Sequence, residues 1–313
     1  MRFMGDSHLH SFQAHLFEQC RKNPGRVALP EGDDERVAEA AAILLEEKLI
    51  SEVHLWGASE SLLRLAAGGR VFLHKKAEGT DALIEAGSGL ASGLWDCVVA
   101  GAVFTTADVI RGALKTVGLA SGCRTISGGF FLVRSFDSAS EGEEILYFAD
   151  AGVVVEPNEL QLVDIARSSV DTWTSLLTQF GGERPRVAFL SFSTKGSARH
   201  PKIDKMLRAL ALFQQLSPDV VVDGEMQFDA AYIPSVSARK CKDSPLGGQA
   251  NIFVFPDLSS GNISYKIAQR LGGFSAFGPI LQGAAKPFSD LSRGANVQDI
   301  VISVCINRLR ALL

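Results

Sequence analysis

The chain has 313 residues, of which 46% are hydrophobic and 21% charged, and its formal net charge is −4. This length is about twice that of a common single domain, so we expect two lobes around a cleft. This slightly negative net charge argues against a nucleic-acid partner, because binding to a phosphate backbone needs a basic face.

Five scattered cysteines with no C-x-x-C pair and no metal-ligand spacing fit a reducing compartment. No apolar run reaches the length of a membrane span, and residues 1–20 lack the apolar core of a signal peptide. We therefore expect a cytoplasmic protein with no membrane partner.

Short apolar runs bounded by glycine, aspartate or proline recur along the chain and predict buried strands. They cover residues 26–30, 53–57, 95–103, 187–192, 220–223 and 252–256. Helical spacing follows Asp33, which is the expected N-cap, and recurs over residues 201–216. This alternation of strand and helix predicts an α/β fold with one or two mostly parallel sheets. Linkers are expected at residues 135–144 and 181–185.

Ligands of parallel α/β sheets lie at the carboxyl ends of strands, so polar stretches directly after strands are candidate sites. Residues 193–199, S-T-K-G-S-A-R, offer hydroxyls, a lysine and an arginine at a helix start, which suits a phosphate. The alternative is a capped turn with solvated charges. Residues 223–231 carry three carboxylates, which either bind a metal or orient a ligand, or cap a helix and pair with arginines.

A third candidate is residues 256–266, where small hydroxyl residues and Asn262 open a helix and Arg270 follows about one turn further on. Backbone donors together with an arginine suit an anionic group, although Asn262 could be only an N-cap.

The fourth candidate, residues 279–299, contains Ser292, Arg293 and Asp299, which supply a hydroxyl donor, a fixed cation and a potential base. Asn296 and Asp299 also have the spacing of an N-cap and its N3 acid. Local spacing therefore leaves Asp299 open as a base or as a helix cap.

Taken together, these motifs resemble the phosphate acetyltransferase/phosphate butyryltransferase family over most of residues 26–305. The matching segments are P-E-G-D-D-E-R-V (30–37), G-A-V-F-T-T-A-D-V-I-R (101–111), S-T-K-G-S-A-R (193–199), D-G-E-M-Q-F-D-A-A (223–231), F-P-D-L-S-S-G-N-I-S-Y-K-I-A-Q-R-L-G (255–272) and G-P-I-L-Q-G through D-L-S-R-G (278–294). Several long motifs in the same order are far more specific than any one of them.

The resemblance implies an α/β fold of two lobes with mostly parallel sheets, similar to isocitrate and isopropylmalate dehydrogenases, with the second lobe inserted in the first. Residues 1–122 and 281–313 would form the first lobe and residues 123–280 the second, with the active site in the cleft. It also implies a homodimer that exchanges acetyl-CoA and phosphate for CoA and acetyl phosphate, by direct thiolate attack in a ternary complex, without a metal or a bound cofactor.

The resemblance also assigns roles to residues of the motifs. Asp299 resembles the base that takes the proton of the CoA thiol, and Ser292 the donor that stabilises the tetrahedral oxyanion. Arg293 and Arg111 would hold the phosphoryl group or its carbonyl neighbour. The further binding residues expected are Arg270, Ser127, Lys195, Ser197 and Asn262.

Two departures from the family pattern accompany the resemblance. The chain is much shorter than the family between Arg70 and Trp95, where another anion-binding arginine is common, and Ser264 stands where glycine is usual.

The alternatives to an acetyl transferase are a phosphate butyryl or propionyl transferase and a non-catalytic module that senses acetyl-CoA.

Overall fold

The structure, a computed structural model, describes residues 11–57, 70–75, 79–135 and 142–312. The helices are α1 (Ser11–Lys22), α2 (Glu35–Glu46), α3 (Asp81–Ser92), α4 (Thr106–Thr116), α5 (Glu159–Leu176), α6 (Pro201–Leu216), α7 (Phe228–Tyr232), α8 (Pro234–Lys240), α9 (Leu258–Leu271) and α10 (Val297–Arg310). The strands are β1 (Arg26–Leu29), β2 (Glu52–Trp56), β3 (Val71–His74), β4 (Cys97–Ala100), β5 (Ser127–Ser135), β6 (Glu143–Ala149), β7 (Arg186–Leu190), β8 (Val221–Met226), β9 (Ile252–Val254), β10 (Ser275–Gln282) and β11 (Phe288–Asp290). Within these ranges no helix is long and apolar enough to cross a membrane.

The first sheet has five parallel strands in the order β11-β4-β1-β2-β3. Its central strands are continuous apolar runs because helices cover both faces, and Val27 of β1 is fully buried between Val53 and Cys97 of its neighbours. The strand order reverses at β1, so the carboxyl ends of β1 and β4 form the crevice where such sheets bind ligands.

The second sheet has six strands in the order β10-β5-β6-β9-β7-β8. Strands β6, β9, β7 and β8 are parallel, whereas β5 pairs in antiparallel fashion with both β6 and β10. The predicted α/β fold with mostly parallel sheets is thus confirmed. The lobe boundaries at residues 122 and 281 stay a prediction.

All six predicted strand segments contain strands, and helix α6 covers the predicted residues 201–216. The helix predicted after Asp33 begins one residue later than expected, because Asp34 is its N-cap and accepts a hydrogen bond from the backbone N–H of Arg36. The linker prediction at residues 135–144 is wrong at both ends. Ser135 and Glu143 face each other in the antiparallel ladder of β5 and β6, and residues 136–141 lie outside the described ranges.

Helix α10 joins the two sheets through the core. It packs against α1, α2 and β4 on one side and against α5 and β10 on the other. Its side chains Val301, Val304 and Cys305 are fully buried, and the Arg310 guanidinium donates to the carbonyl oxygen of Leu281 at 2.7 Å. This packing fixes α10, and therefore its first turn, relative to both sheets.

Candidate functional site

A cavity of about 300 Å³ lies between the two sheets and is lined by Ser292, Arg293 and Asn262 among the predicted site residues. Its other lining residues are Phe104, Thr106, Phe130, Ala151, Gly152, Tyr265, Pro279, Asp290 and Leu291. Both sheets contribute to its walls, as expected for a site in a cleft.

The loop after β11 presents Ser292 and Arg293 at the surface of this cavity, where both are exposed. The Ser292 carbonyl accepts from the N–H of Ala295 at 2.8 Å, and its Oγ lies 3.3 Å from the N–H of Gly294. Because Oγ acts only as an acceptor in that contact, its O–H can still donate to a ligand.

Asp299 forms a capping box with Asn296 at the start of α10. Its Oδ2 accepts from the Asn296 N–H at 2.9 Å, and its own N–H donates to Asn296 Oδ1 at 3.0 Å. Its exposed carboxylate keeps Oδ1 without a hydrogen bond to any described residue. The structure thus confirms that Asp299 caps the helix. Its second oxygen, Oδ1, could still take a proton.

Asp290, the acid of the D-L-S-R-G segment, is a cavity residue to which the sequence analysis gave no role. It is 1% exposed, and its Oδ2 accepts from the Thr106 hydroxyl at 2.6 Å. Its Oδ1 is buried without a hydrogen-bond partner among the described residues. Burial raises the pKa of this carboxyl to about 6. Its position at the carboxyl end of a parallel strand was the available signal.

Two other buried carboxylates hold the loops beside the cavity. Glu31 accepts the backbone N–H groups of residues 101–104, at 2.7 to 2.9 Å. Asp150 accepts those of Gly128 and residues 152–154 in the same way. Burial raises the pKa of each carboxyl, and the hydrogen bonds oppose that rise. Sequence analysis missed both residues. The contacts of Glu31 are to backbone groups about 70 residues away, whereas Asp150 bonds mainly the turn that directly follows it.

The S-T-K-G-S-A-R loop is bonded to the two acidic residues of β8. Lys195 pairs with the Asp223 carboxylate, and Ser193 donates its hydroxyl to Glu225 at 2.8 Å. Ser197 lies 3.2 Å from Ser193, hydroxyl to hydroxyl. These two carboxylates therefore bond a lysine and a serine of the loop and not the arginines that were expected. Neither Lys195 nor Ser197 lines the cavity that contains Ser292.

Four other predicted residues also lie outside the cavity lining, and one of them is Asp299. Arg111 is 64% exposed on α4 and pairs with Asp108. Arg270 is exposed near the end of α9 and makes no hydrogen bond to the described residues. Ser127 is buried and accepts from the side-chain amide of Gln282 at 3.0 Å.

Asn262, by contrast, is a cavity residue and not a helix cap. The N-cap of α9 is Asp257, whose carboxylate accepts from the Ser260 N–H at 2.9 Å. Asn262 donates its Nδ2 hydrogen to the carbonyl of Ala151 at 3.1 Å. This bond ties α9 to the loop after β6 and leaves the amide oxygen of Asn262 available as an acceptor.

Comparison with known proteins agrees with the motifs. A family model described as "Phosphate acetyl/butaryl transferase" matches residues 69–307. The phosphate acetyltransferase of Paracoccus denitrificans is 43% identical over 94% of this chain and 98% of its own, and that of Bacillus subtilis is 37% identical over 92% and 95%. The EutD phosphotransacetylase from Staphylococcus aureus superposes with a TM-score of 0.84 at 32% identity, covering 96% of this chain and 98% of that one. A phosphotransacetylase from Streptococcus pyogenes gives a TM-score of 0.84 at 36% identity, covering 98% and 99%.

Proposed function

Because the chain belongs to the phosphate acetyl/butaryl transferase family, we propose that it transfers an acetyl group between CoA and inorganic phosphate. Acetyl-CoA and phosphate would exchange with CoA and acetyl phosphate. The observation that carries this proposal is the cavity between the sheets that Ser292 and Arg293 line together. The acetyl group is favoured over larger acyl groups because relatives between 34% and 43% identical bear the name phosphate acetyltransferase.

Arg293 would bind the phosphate of the reacting group, and Ser292 would bind its carbonyl oxygen. The planar guanidinium of Arg293 can hold two phosphate oxygens at once, which a lysine cannot do. The free O–H of Ser292 would donate to the carbonyl oxygen as it becomes an oxyanion. One such donor typically contributes about 10²–10³-fold to a rate.

Asp299 would be the general base. A thiol with a pKa of about 8.5 is only a few per cent thiolate at pH 7, so a positioned carboxylate raises the reactive fraction. The proton of the CoA thiol would pass to the free Oδ1 of Asp299. The thiolate would then attack the carbonyl carbon of acetyl phosphate, the new S–C bond forming as the C–O bond to phosphate breaks. No metal, bound cofactor or acyl-enzyme enters these steps.

The remaining predicted residues are proposed as binding contacts. Arg111 and Arg270 are exposed and would reach anionic groups of the substrates, and the amide oxygen of Asn262 would accept a hydrogen bond inside the cavity. Ser127, Lys195 and Ser197 are bonded within the protein, so binding by them would require those bonds to be exchanged.

We further propose a cytoplasmic homodimer. Helix α9 has a stripe of exposed apolar side chains spaced four residues apart: Ile263, Ile267 and Leu271, with exposures of 57%, 53% and 84%. Such a stripe on a soluble helix is costly unless a partner covers it. A second copy of the chain is the partner that the family resemblance implies.

The activity is tested by CoA release from acetyl-CoA with no addition, with phosphate and with arsenate. Release that depends on phosphate or arsenate supports the acetyl transferase. A folded protein that binds acetyl-CoA but shows no such turnover would instead be the sensing module. Comparing acetyl, propionyl and butyryl phosphate as acyl donors in the reverse assay then measures the acyl preference, since one methylene changes discrimination by about 10- to 200-fold.

A further inference from the structure

The segment P-E-G-D-D-E-R-V, residues 30–37, connects β1 to α2 and has no role in the steps above. None of its residues lines the cavity that contains Ser292. It lies at the carboxyl end of β1, directly beside the end of β4, where the strand order of the first sheet reverses.

Arg36 uses every donor of its guanidinium group. Its Nη1 donates to the carbonyl oxygens of Arg293 at 3.0 Å and Ala295 at 2.7 Å, and its Nη2 donates to that of Ala102 at 3.0 Å. Its Nε and Nη2 also bond the two carboxylate oxygens of Asp34, at 3.0 and 2.8 Å. An arginine has five N–H donors, so the group is fully occupied by these contacts.

Asp34 anchors this arginine to the start of α2. The same carboxylate accepts the backbone N–H of Arg36 at 2.9 Å as the N-cap of the helix. The hydrogen bond with Arg36 lowers the pKa of Asp34 and raises that of Arg36, so both groups stay charged. The guanidinium is thus held in one orientation by a fixed helix end.

The segment 30–37 bonds both the amide groups and a carbonyl group of the loop after β4. Glu31 accepts the N–H groups of residues 101–104, while Arg36 takes the carbonyl of Ala102 in the same loop. Phe104 at the end of this loop lines the cavity. Thr106, two residues after Phe104, donates its hydroxyl hydrogen to the Asp290 carboxylate. The segment 30–37 therefore fixes one wall of the cavity without contacting its interior.

We propose that Arg36 is a positioning residue for acyl transfer, because it fixes the two backbone carbonyls on either side of Gly294 and so aims Ser292 and Arg293 into the cavity. This proposal rests on the proposed function. Gly294 has no side chain with which to hold the loop, and the loop leads directly into the Asn296–Asp299 capping box. A displacement of about 1 Å in such a loop can cost about 10²-fold in rate.

Lysine should not replace Arg36. Its ammonium has three donors arranged about one atom, whereas the contacts of Arg36 need five donors in a planar fork. A small guanidinium ion in solution can restore that fork in Arg36→Ala, since the Arg36 side chain is 33% exposed.

The test compares Arg36→Lys and Arg36→Ala with the control Arg26→Lys. Arg26 lies on β1 of the same sheet and bonds the Gly93 carbonyl and Asp96, outside the cavity. For Arg36→Lys we expect kcat to fall by about 10- to 100-fold with KM for CoA within about threefold, because the loop positions the reacting group. Arg26→Lys should keep wild-type kcat. Guanidinium at millimolar concentration should raise kcat of Arg36→Ala several-fold.

Either of two kinetic results would overturn the proposal. One is wild-type kcat in Arg36→Lys. The other is a loss of kcat matched by a loss of melting temperature, with no response of Arg36→Ala to guanidinium, which would make Arg36 a stabilising residue only. Failure of the proposed function is seen separately, as a wild-type protein without phosphate-dependent CoA release. In that case deuterium uptake over residues 291–297 decides whether Arg36 holds the loop. It must rise in Arg36→Lys and not in Arg26→Lys, and unchanged uptake would overturn the proposal.

Discussion

The substitution Asp299→Asn separates the two roles of Asp299, the helix cap and the base. The capping box needs an oxygen that accepts from the Asn296 N–H, at 2.9 Å in the wild type, and the asparagine amide oxygen can supply it. What the variant loses is the negative charge at the helix N-terminus, which is worth about 0.3–1 kcal/mol at an exposed site. Its melting temperature should therefore fall by at most about 4 °C.

Activity should respond far more strongly than stability. An amide cannot take the thiol proton, and a general base contributes about 10²–10⁴-fold to a rate, so kcat should fall by that factor. The assay is CoA-dependent acetyl-CoA formation from acetyl phosphate, with thermal unfolding measured on the same preparations.

A second capping box in the chain supplies the matched control. At the start of α5, Gln161 accepts from the Asn158 N–H at 3.1 Å, in the position that Asp299 occupies in α10. Gln161→Ala should lose about 1 kcal/mol of stability, as should Asp299→Ala, but it should keep full kcat. Full activity with a lowered melting temperature in Asp299→Asn would refute the base assignment and leave only the cap.

Three further predictions follow from the site and from helix α9. Ser292→Ala should lower kcat by about 10²–10³-fold with little change in melting temperature, because it removes one donor to the oxyanion; unchanged kcat would exclude that role. Burial raises the pKa of Asp290 from its usual value of 3.8 to about 6, so the folded state binds the extra proton and wild-type stability should fall as pH rises from about 4 to about 6. Asp290→Asn should lack this fall and should be more stable than the wild type by up to about 3 kcal/mol at pH 7.5, measured by urea unfolding; a stability difference independent of pH would contradict the assignment. Ile267→Asp should convert the dimer to a monomer of unchanged fold, measured by light scattering, whereas a wild-type monomer would contradict the proposed homodimer.

The sequence predicted those parts of the fold that depend on local pattern. Buried parallel strands such as β1 and β7 are continuous apolar runs, and α6 combines Pro201 at its first turn with a regular apolar stripe. Strand β10 was missed because it contains Gly278 and Pro279, which ordinarily interrupt a strand. The ladder with β5 accommodates them through a register shift between Phe277 and Ile280.

The site was predictable where its residues share one short segment. Ser292 and Arg293 lie in the connection between β11 and α10, and Asp299 lies in the first turn of α10, so their spacing was informative. The supporting contacts were not predictable, because Arg36 bonds a carbonyl 257 residues away and Glu31 bonds amides 70 residues away. Asp257 rather than Asn262 caps α9, since the helix begins earlier than the glycine and asparagine suggested.

Isotope exchange tests the central claim most directly, namely that the acetyl group passes straight between CoA and phosphate in this cavity. Labelled phosphate is incubated with unlabelled acetyl phosphate and the protein, with and without CoA. Direct transfer in a ternary complex predicts label in acetyl phosphate only when CoA is present. Exchange without CoA would require an acyl-enzyme and would contradict the mechanism, and no exchange under either condition would contradict the proposed activity itself.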